Sequence, residues 1–189
     1  MAERGKVLVI TGPSGVGKGT LIAKLLEAIP ELELSVSATT REPRAGERDG
    51  RDYHFLSGEG FERRVQAGDF LEHASYSDNR YGTLREEVEA RLREGRSVVL
   101  EIEVQGARQV RDAMAEAILI FIAPPDRAAL RKRLEGRGAD SPEAIERRLR
   151  TAELELDAQG EFQHVIVNDD VQKAASELEK LVRTELSLH

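Results

Sequence analysis

Short apolar runs alternate along the chain with segments whose apolar residues recur every three or four positions. Residues 6–11 read KVLVIT, a β-branched run typical of a buried strand, and a glycine-rich turn separates them from a helical pattern at 21–28. The same patterns predict further strands at 34–38, 70–76, 97–103, 117–123 and 164–167. They predict further helices at 61–67, 84–93, 105–114, 127–135 (capped by Asp126), 143–158 and 171–186.

This order of elements is typical of the α/β class. Strands that alternate with helices form a parallel sheet, and the helices cover both of its faces. Ligands of such sheets bind at the carboxyl ends of the strands. Residues from about 35 to 90 interrupt the alternation, and the stretch 39–52 is polar with three Gly or Pro residues. We therefore expect a lobe at about 35–90 inserted into a core built from 1–34 and 91–189.

Composition narrows the functional classes. The 189 residues suit one domain or a core with inserted lobes, and 40% hydrophobic with 33% charged residues is ordinary for a folded protein. The longest apolar run, 117–123, is too short to span a bilayer, and the first residues show no signal-peptide pattern, so we expect a cytoplasmic protein. Because the chain has no cysteine, disulfides, thiolate metal sites and cysteine catalysis are excluded, and its four scattered histidines predict no metal centre.

The charge is negative overall but unevenly distributed. A net charge of −7 disfavours nucleic acid as a partner, and no membrane partner is expected. Residues 127–150 carry eight Arg or Lys against four Asp or Glu, whereas residues 151–189 are strongly acidic. A local basic cluster in an acidic protein favours a small anionic ligand, and a solvated, salt-bridged helix face is the alternative. The sequence predicts no oligomeric state.

The strongest chemical signal directly follows the first predicted strand. Residues 12–20 match the pattern GxxxxGK in the strand–loop–helix context of a phosphate-binding loop. In such a loop, backbone N–H groups and the positive end of the helix bind phosphate oxygens, and the lysine contacts the β- and γ-phosphates. An ordinary glycine-rich turn is the alternative. The predicted ATP-binding residues of this loop are Gly12, Pro13, Ser14, Gly15, Val16, Gly17, Lys18, Gly19 and Thr20.

A polar loop supplies a second candidate anion site. Arg41 and Arg44 flank Pro43, and Tyr53 follows on a predicted strand. Two guanidinium groups and a phenol suit a phosphate dianion, because bidentate N–H contacts match its oxygens. A carboxylate, Glu72, follows in the predicted strand 70–76. From these residues alone, a surface loop and a solvated strand position remain the alternatives.

Blocks along nearly the whole chain resemble guanylate kinases. They are GPSGVGKGT, SVSATTREPRAGERDGRDYHF, FLEHA, YGT, EVQGA, IAPP, RLEGRG and VIVNDD, in the order and spacing of that family. The resemblance implies a P-loop core, a parallel β-sheet flanked by helices, with an inserted GMP-binding lobe and a helical lid at about 136–147. It also implies phosphoryl transfer from ATP to GMP, with Mg²⁺ bound together with ATP.

The resemblance further implies roles for individual residues. The GMP-binding residues would be Ser37, Arg41, Arg44, Tyr53, Glu72, Tyr81, Thr83, Glu101 and Glu103. Among them, Glu72 would read the guanine edge. The catalytic residues would be Lys18, Arg41, Arg44 and three arginines that close over the transferring phosphate, Arg133, Arg137 and Arg148. Asn168 would lie near the adenine of ATP.

The chemistry of Glu72 agrees with a guanine acceptor. Guanine presents N1–H and an N2 amino group as adjacent donors, and one carboxylate accepts from both. Adenine lacks both donors and would leave the carboxylate unpaired, which a polar site rejects strongly. Two alternatives stay open, a kinase of another nucleoside monophosphate and a guanylate-kinase-like binding module without catalysis. The intact phosphate loop with Lys18 argues against the second.

Overall fold

The computed structural model describes residues 4–76, 78–136 and 142–188. Within these residues the main sheet has five parallel strands, with the first strand of the chain at its centre. In spatial order the strands are β2 (Leu32–Leu34), β7 (Ser97–Glu101), β1 (Val7–Thr11), β8 (Ile118–Ala123) and β9 (His164–Val167). The predicted α/β fold with a parallel sheet is confirmed. Val9 of β1 lies opposite Leu100 on one neighbour and Leu119 on the other.

Helices cover both faces of this sheet, because successive residues of the buried strand β1 point to opposite sides. The helices of the described part are α1 (Lys18–Ala28), α2 (Gly58–Ala67), α3 (Arg85–Arg93), α4 (Val104–Ala113), α5 (Arg127–Glu135), α6 (Pro142–Asp157) and α7 (Val171–Glu185), with a 3-10 turn at Ala158–Glu161. Val9 packs in an apolar cluster with side chains of α3 and α4, and Ile10 packs in another with α1 and α7. No helix in the described ranges is long and apolar enough to cross a membrane.

A second sheet forms from the segment that interrupts the alternation. Among the described residues its spatial order is β4 (His54–Phe55), β3 (Ala38–Thr39), β6 (Asn79–Leu84) and β5 (Phe70–Tyr76). The rings of Phe61 on α2 and Phe70 on β5 stack with centroids 4.4 Å apart and form the small core of this sheet. The chain then returns to the main sheet, because α3 buries Val88 and Leu92 in its core.

Two features of the second sheet differ from the sequence analysis. The predicted single strand at 34–38 is wrong, because β2 ends at Leu34 in the main sheet and β3 begins at Ala38 in the second. The apolar pattern also does not predict β6, whose residues NRYGTL contain polar residues and a glycine. That glycine is required by contact, since a Cβ on Gly82 would lie 2.8 Å from Cδ1 of Phe70.

Candidate active site

The phosphate loop joins the end of β1 to the start of α1. Gly12, Gly15 and Gly17 have φ angles of 141°, 84° and 98°, a region that other residues rarely adopt. Gly17 precedes the first turn of α1, and no side chain caps that turn. A Cβ on Gly17 would also lie 2.6 Å from Nδ2 of Asn168. The loop therefore presents an uncapped helix N-terminus, a geometry whose dipole and N–H groups favour an anion.

Lys18 begins α1 and turns its side chain back over the loop. Its Nζ donates a hydrogen bond to the carbonyl oxygen of Gly12 and lies 3.4 Å from that of Pro13. The ammonium group is therefore held between two backbone carbonyls at the entrance of the loop. A phosphate anion that displaced one of these carbonyls would gain a charge-assisted hydrogen bond.

A cleft of about 560 Å³ separates the phosphate loop from the second sheet. It brings together predicted residues from both substrate sites: Pro13, Ser14, Gly15, Gly17, Lys18, Gly19, Thr20, Ser37, Tyr53, Glu72, Tyr81, Glu101 and Glu103. Other predicted residues of the described part are outside its lining, namely Gly12, Val16, Arg41, Arg44, Thr83, Arg133, Arg148 and Asn168. Arg137 lies outside the described residues. The cleft therefore contains residues predicted for both substrate sites, between the loop and the second sheet.

Glu72 is a buried carboxyl group in the wall of this cleft. It lies on β5 with 5% of its surface exposed, and the hydroxyl of Thr83 on β6 donates a hydrogen bond of 2.7 Å to its Oε1. Burial raises the pKa of Glu72 to about 7, and the hydrogen bond from Thr83 opposes this rise. The solvated alternative for Glu72 is therefore wrong. A buried carboxyl group that accepts only part of its hydrogen-bond capacity favours a ligand with N–H donors.

Arg41 lies beside two tyrosines that line the cleft, Tyr53 and Tyr81. Its guanidinium carbon is 5.2 Å from the ring centroid of Tyr53, and the rings of Tyr53 and Tyr81 meet edge to face at 6.3 Å. Glu47 accepts a hydrogen bond of 2.9 Å from Arg41 and another of 2.7 Å from the backbone N–H of Arg44. The Arg41 guanidinium group lowers the pKa of Glu47. One carboxylate thus binds the guanidinium group of Arg41 and the backbone of Arg44.

Carboxyl groups gather at the carboxyl end of β7, next to Lys18. Glu101 ends the strand, and Glu103 directly precedes α4. Burial raises the pKa of Glu101, while the charge of Lys18 opposes this rise. Glu155 of α6 hydrogen-bonds Glu103, and burial together with this contact raises the pKa of Glu155. Sequence reasoning assigned no role to Glu155, because nothing in the pattern of α6 shows which strand end it faces.

Arg133 and Asn168 both bind the backbone of the phosphate loop. Arg133 donates hydrogen bonds to the carbonyl oxygens of Val16 and Asn168, at 3.2 and 2.7 Å. The side-chain amide of Asn168, itself 1% exposed, donates to the same Val16 oxygen at 2.8 Å. These bonds tie α5 and the residue after β9 to the backbone of the phosphate loop. Arg148 lies on α6.

A phosphate loop that shares a cleft with a buried carboxyl group is the geometry that the sequence blocks imply. The family model described as guanylate kinase matches residues 4–185. The chain belongs to the guanylate kinase family. The resemblance noted from the sequence blocks is therefore confirmed.

Guanylate kinases from several bacteria are similar to this chain over almost all of its length. The guanylate kinase of Synechococcus sp. (strain CC9311) is 56% identical over 95% of this chain and 94% of its own. That of Prochlorococcus marinus (strain MIT 9313) is 55% identical over 96% of each chain. The crystal structure of guanylate kinase from Anaplasma phagocytophilum superimposes with a TM-score of 0.78, at 34% identity, over 97% of this chain and 87% of that one.

Two residues near the guanylate kinase cleft lie in or beside a quoted block but received no role from the sequence. Gly106 and Gln109 both belong to α4, where EVQGA spans 103–107. Gly106 is buried against Glu72, and Gln109 hydrogen-bonds the backbone of His73. The block EVQGA marks this segment in the sequence, but only the packing of α4 on β5 shows which residues Gly106 and Gln109 contact.

Proposed function

We propose that this protein transfers the γ-phosphoryl group of ATP to GMP and yields ADP and GDP. The observation that carries the proposal is that buried Glu72 and the phosphate loop line the same cleft. The cleft therefore combines a carboxylate that accepts hydrogen bonds from two adjacent N–H donors with a loop suited to a triphosphate. Membership of the guanylate kinase family supports the same activity.

Glu72, Ser37 and Thr83 are the proposed guanine-binding residues. The ionised carboxyl group of Glu72 accepts from N1–H and the N2 amino group of guanine, while Thr83 keeps its hydrogen bond to Oε1. Ser37 lines the cleft beside them. Adenine, which offers no donor at N1 or C2, would leave a buried charge unpaired, and this cost supports discrimination against AMP.

The phosphate of GMP is proposed to bind Arg41, Arg44, Tyr53 and Tyr81. Glu47 now occupies one side of the Arg41 guanidinium group, and a phosphate dianion would compete with it for those N–H donors. The two tyrosines face the cleft and each offers a phenol hydroxyl. The inserted lobe, about 35–90, supplies all four residues, and the rest of the chain supplies the ATP site.

The phosphate loop, residues 12–20, is proposed to bind ATP with Lys18 on the β- and γ-phosphates. Asn168, which donates a hydrogen bond to the loop at Val16, is proposed to lie near the adenine. A phosphate oxygen of GMP attacks the γ-phosphorus in line, the bond from that phosphorus to the ADP oxygen breaks, and ADP leaves. No general base is required, since the GMP phosphate is largely ionised at neutral pH with a second pKa of about 6. Arg41, Arg44 and the three arginines expected to close over the transferring phosphate, 133, 137 and 148, would offset the repulsion between the two anions. Arg133 would exchange its present carbonyl partners for the phosphate.

The carboxyl groups beside Lys18 fit a Mg²⁺ ion that arrives with ATP. Mg²⁺ binds through one or two carboxylates, water and substrate phosphates rather than through an all-protein cage. Glu101 and Glu103, which the resemblance placed among the GMP-binding residues, would hold it together with the hydroxyl of Thr20, and it would neutralise phosphate charge.

A coupled ADP-release assay with MgATP and GMP, AMP, UMP or CMP tests the proposal. Fast turnover with GMP alone is expected. Turnover with another nucleotide would overturn the base-reading role of Glu72 while keeping a kinase. GMP binding without turnover of any nucleotide would favour a non-catalytic module. Since ATP and GMP are cytoplasmic metabolites, we also propose that the protein acts in the cytoplasm, which cell fractionation tests.

A further inference from the structure

One face of α4 packs against the strand that carries Glu72. Gly106 and Gln109 are three positions apart on this helix and therefore lie on the same face, about one turn apart. They meet two consecutive residues of β5, since Gly106 contacts Glu72 and Gln109 contacts His73. The helix thus touches the proposed guanine reader both directly and through the adjacent peptide.

The contact at Gly106 leaves no room for a side chain. A Cβ at this position would overlap Oε2 of Glu72 and would lie 3.1 Å from its Cδ and 3.5 Å from its Cγ. The backbone of Gly106 is helical, so its conformation does not require glycine. Glycine also destabilises a helix interior relative to alanine. The presence of glycine at position 106 is therefore explained by the Glu72 carboxyl group packed against it.

Gln109 binds the backbone of β5 as a neighbouring strand would. Its Nε2 donates to the carbonyl oxygen of His73 at 2.8 Å, and the N–H of His73 donates to its Oε1 at 3.0 Å. β5 is an edge strand of the second sheet, and its other side pairs His73 with Gly82 of β6. The amide of Gln109 satisfies both outward backbone groups of His73 and fixes the distance between α4 and β5.

We propose that Gly106 and Gln109 are positioning residues that set the location of the Glu72 carboxyl group and thereby the specificity for guanine. This inference rests on the proposed function. α4 begins directly after Glu103 at the carboxyl end of β7, beside the phosphate loop. One helix therefore connects the end of the ATP site to the base reader of the GMP site.

The decisive variant is Gly106→Ala, compared with wild type, Glu72→Gln and the double variant. Gly106→Ala is expected to raise the KM for GMP roughly 10- to 100-fold, the range of a lost hydrogen bond to a charged group, and to leave the KM for ATP within about twofold. IMP, which lacks the N2 amino group, supplies a second readout. The preference for GMP over IMP in kcat/KM is expected to fall, which a general loss of folding would not produce.

The double variant tests whether Gly106 acts through Glu72. If it does, adding Gly106→Ala to Glu72→Gln changes the KM for GMP little further, because the reader is already lost. Gly58→Ala on α2 is the matched control, since nothing lies within 4 Å of a Cβ there. It is expected to behave as wild type. Full multiplication of the two single effects would overturn the inference.

If Gly106→Ala does not fold, the variants Gln109→Glu and Gln109→Ala test the positioning role of α4. Gln109→Glu keeps the shape but replaces the N–H₂ donor with an oxygen that faces the carbonyl of His73. It is expected to raise the KM for GMP and lower the preference over IMP, as is Gln109→Ala. Gln105→Ala, an exposed glutamine of the same helix, is expected to have no effect. Unchanged GMP kinetics in Gln109→Glu would overturn the proposal.

The outcomes also separate this inference from the proposed function. If wild type does not phosphorylate GMP, the proposed function itself fails. If wild type phosphorylates GMP and Glu72→Gln loses the preference over IMP, the function stands. In that case, wild-type GMP kinetics in both Gly106→Ala and Gln109→Glu would refute only the positioning role of α4.

Discussion

Replacement of Glu72 by glutamine is expected to make the free protein more stable and a worse kinase at the same time. The carboxyl group is 5% exposed, and burial raises its pKa to about 7 from an ordinary value of 4.5. Glutamine has nearly the same shape and still accepts the hydrogen bond from Thr83. It carries no charge, however, so it avoids the desolvation that the ionised glutamate suffers at neutral pH.

The magnitude follows from the two pKa values. Between pH 4.5 and 7 the folded protein binds a proton at Glu72 that the unfolded chain has released, so this group lowers the free energy of unfolding as pH rises. A difference of about 2.5 pH units corresponds to about 3 kcal/mol at about 1.4 kcal/mol per unit. The gain of Glu72→Gln is therefore expected to approach about 3 kcal/mol at pH 8 and to fall below about 1 kcal/mol at pH 5.

Urea unfolding of the nucleotide-free protein at pH values from 5 to 8.5 measures this difference. The matched control is Glu177→Gln, an exposed glutamate on α7, for which a change within about 0.5 kcal/mol is expected at every pH. The same preparations are then assayed with GMP. The KM for GMP is expected to rise roughly 10- to 100-fold in Glu72→Gln, because the amide N–H₂ cannot accept from guanine.

Two results would refute this reasoning. If Glu72→Gln were no more stable than wild type at pH 8, the carboxyl group would not be desolvated in solution. If the stability difference did not depend on pH, the gain would come from packing and not from ionisation. Greater stability with unchanged GMP kinetics would leave the pKa argument intact and remove Glu72 from the base site.

Three further predictions concern the phosphate sites. Lys18→Ala is expected to abolish turnover but leave the dissociation constant of GMP, measured by calorimetry, within about twofold; equal loss of both would contradict the proposed division of the sites. Arg41→Ala is expected to weaken GMP binding roughly 10- to 100-fold and to leave guanosine binding unchanged. If guanosine binding were weakened as well, Arg41 would contact the guanine base and not the phosphate. Gly17→Ala is expected to cost about 1–3 kcal/mol of stability and to weaken ATP binding. The reason is that residue 17 has a φ of 98° and its Cβ would lie 2.6 Å from the side chain of Asn168. A wild-type melting temperature would contradict the strain argued for that loop.

Several features of the fold and the site follow from the sequence alone. The period of the apolar residues predicts strand 164–167 with the bounds that the structure has, and the cap at Asp126 is present with its side chain bonded to the N–H of Ala129. The phosphate loop is predicted because its glycines and lysine act through local backbone geometry, which a short stretch of sequence determines. Local periodicity predicts which residues of a segment share a face and where turns occur, because both depend on neighbouring residues in the chain.

Tertiary structure alone decides which distant residues meet. Residues 34–38 divide between two sheets because Leu34 pairs with Val99 and Ala38 with Gly82, and an apolar run does not encode its partner. Glu72 becomes a buried acceptor only where β6 supplies Thr83 and α4 supplies Gly106. The pKa of that carboxyl group, and with it the guanine chemistry proposed here, depends on desolvation by elements far apart in the chain, because burial is a property of the packed fold.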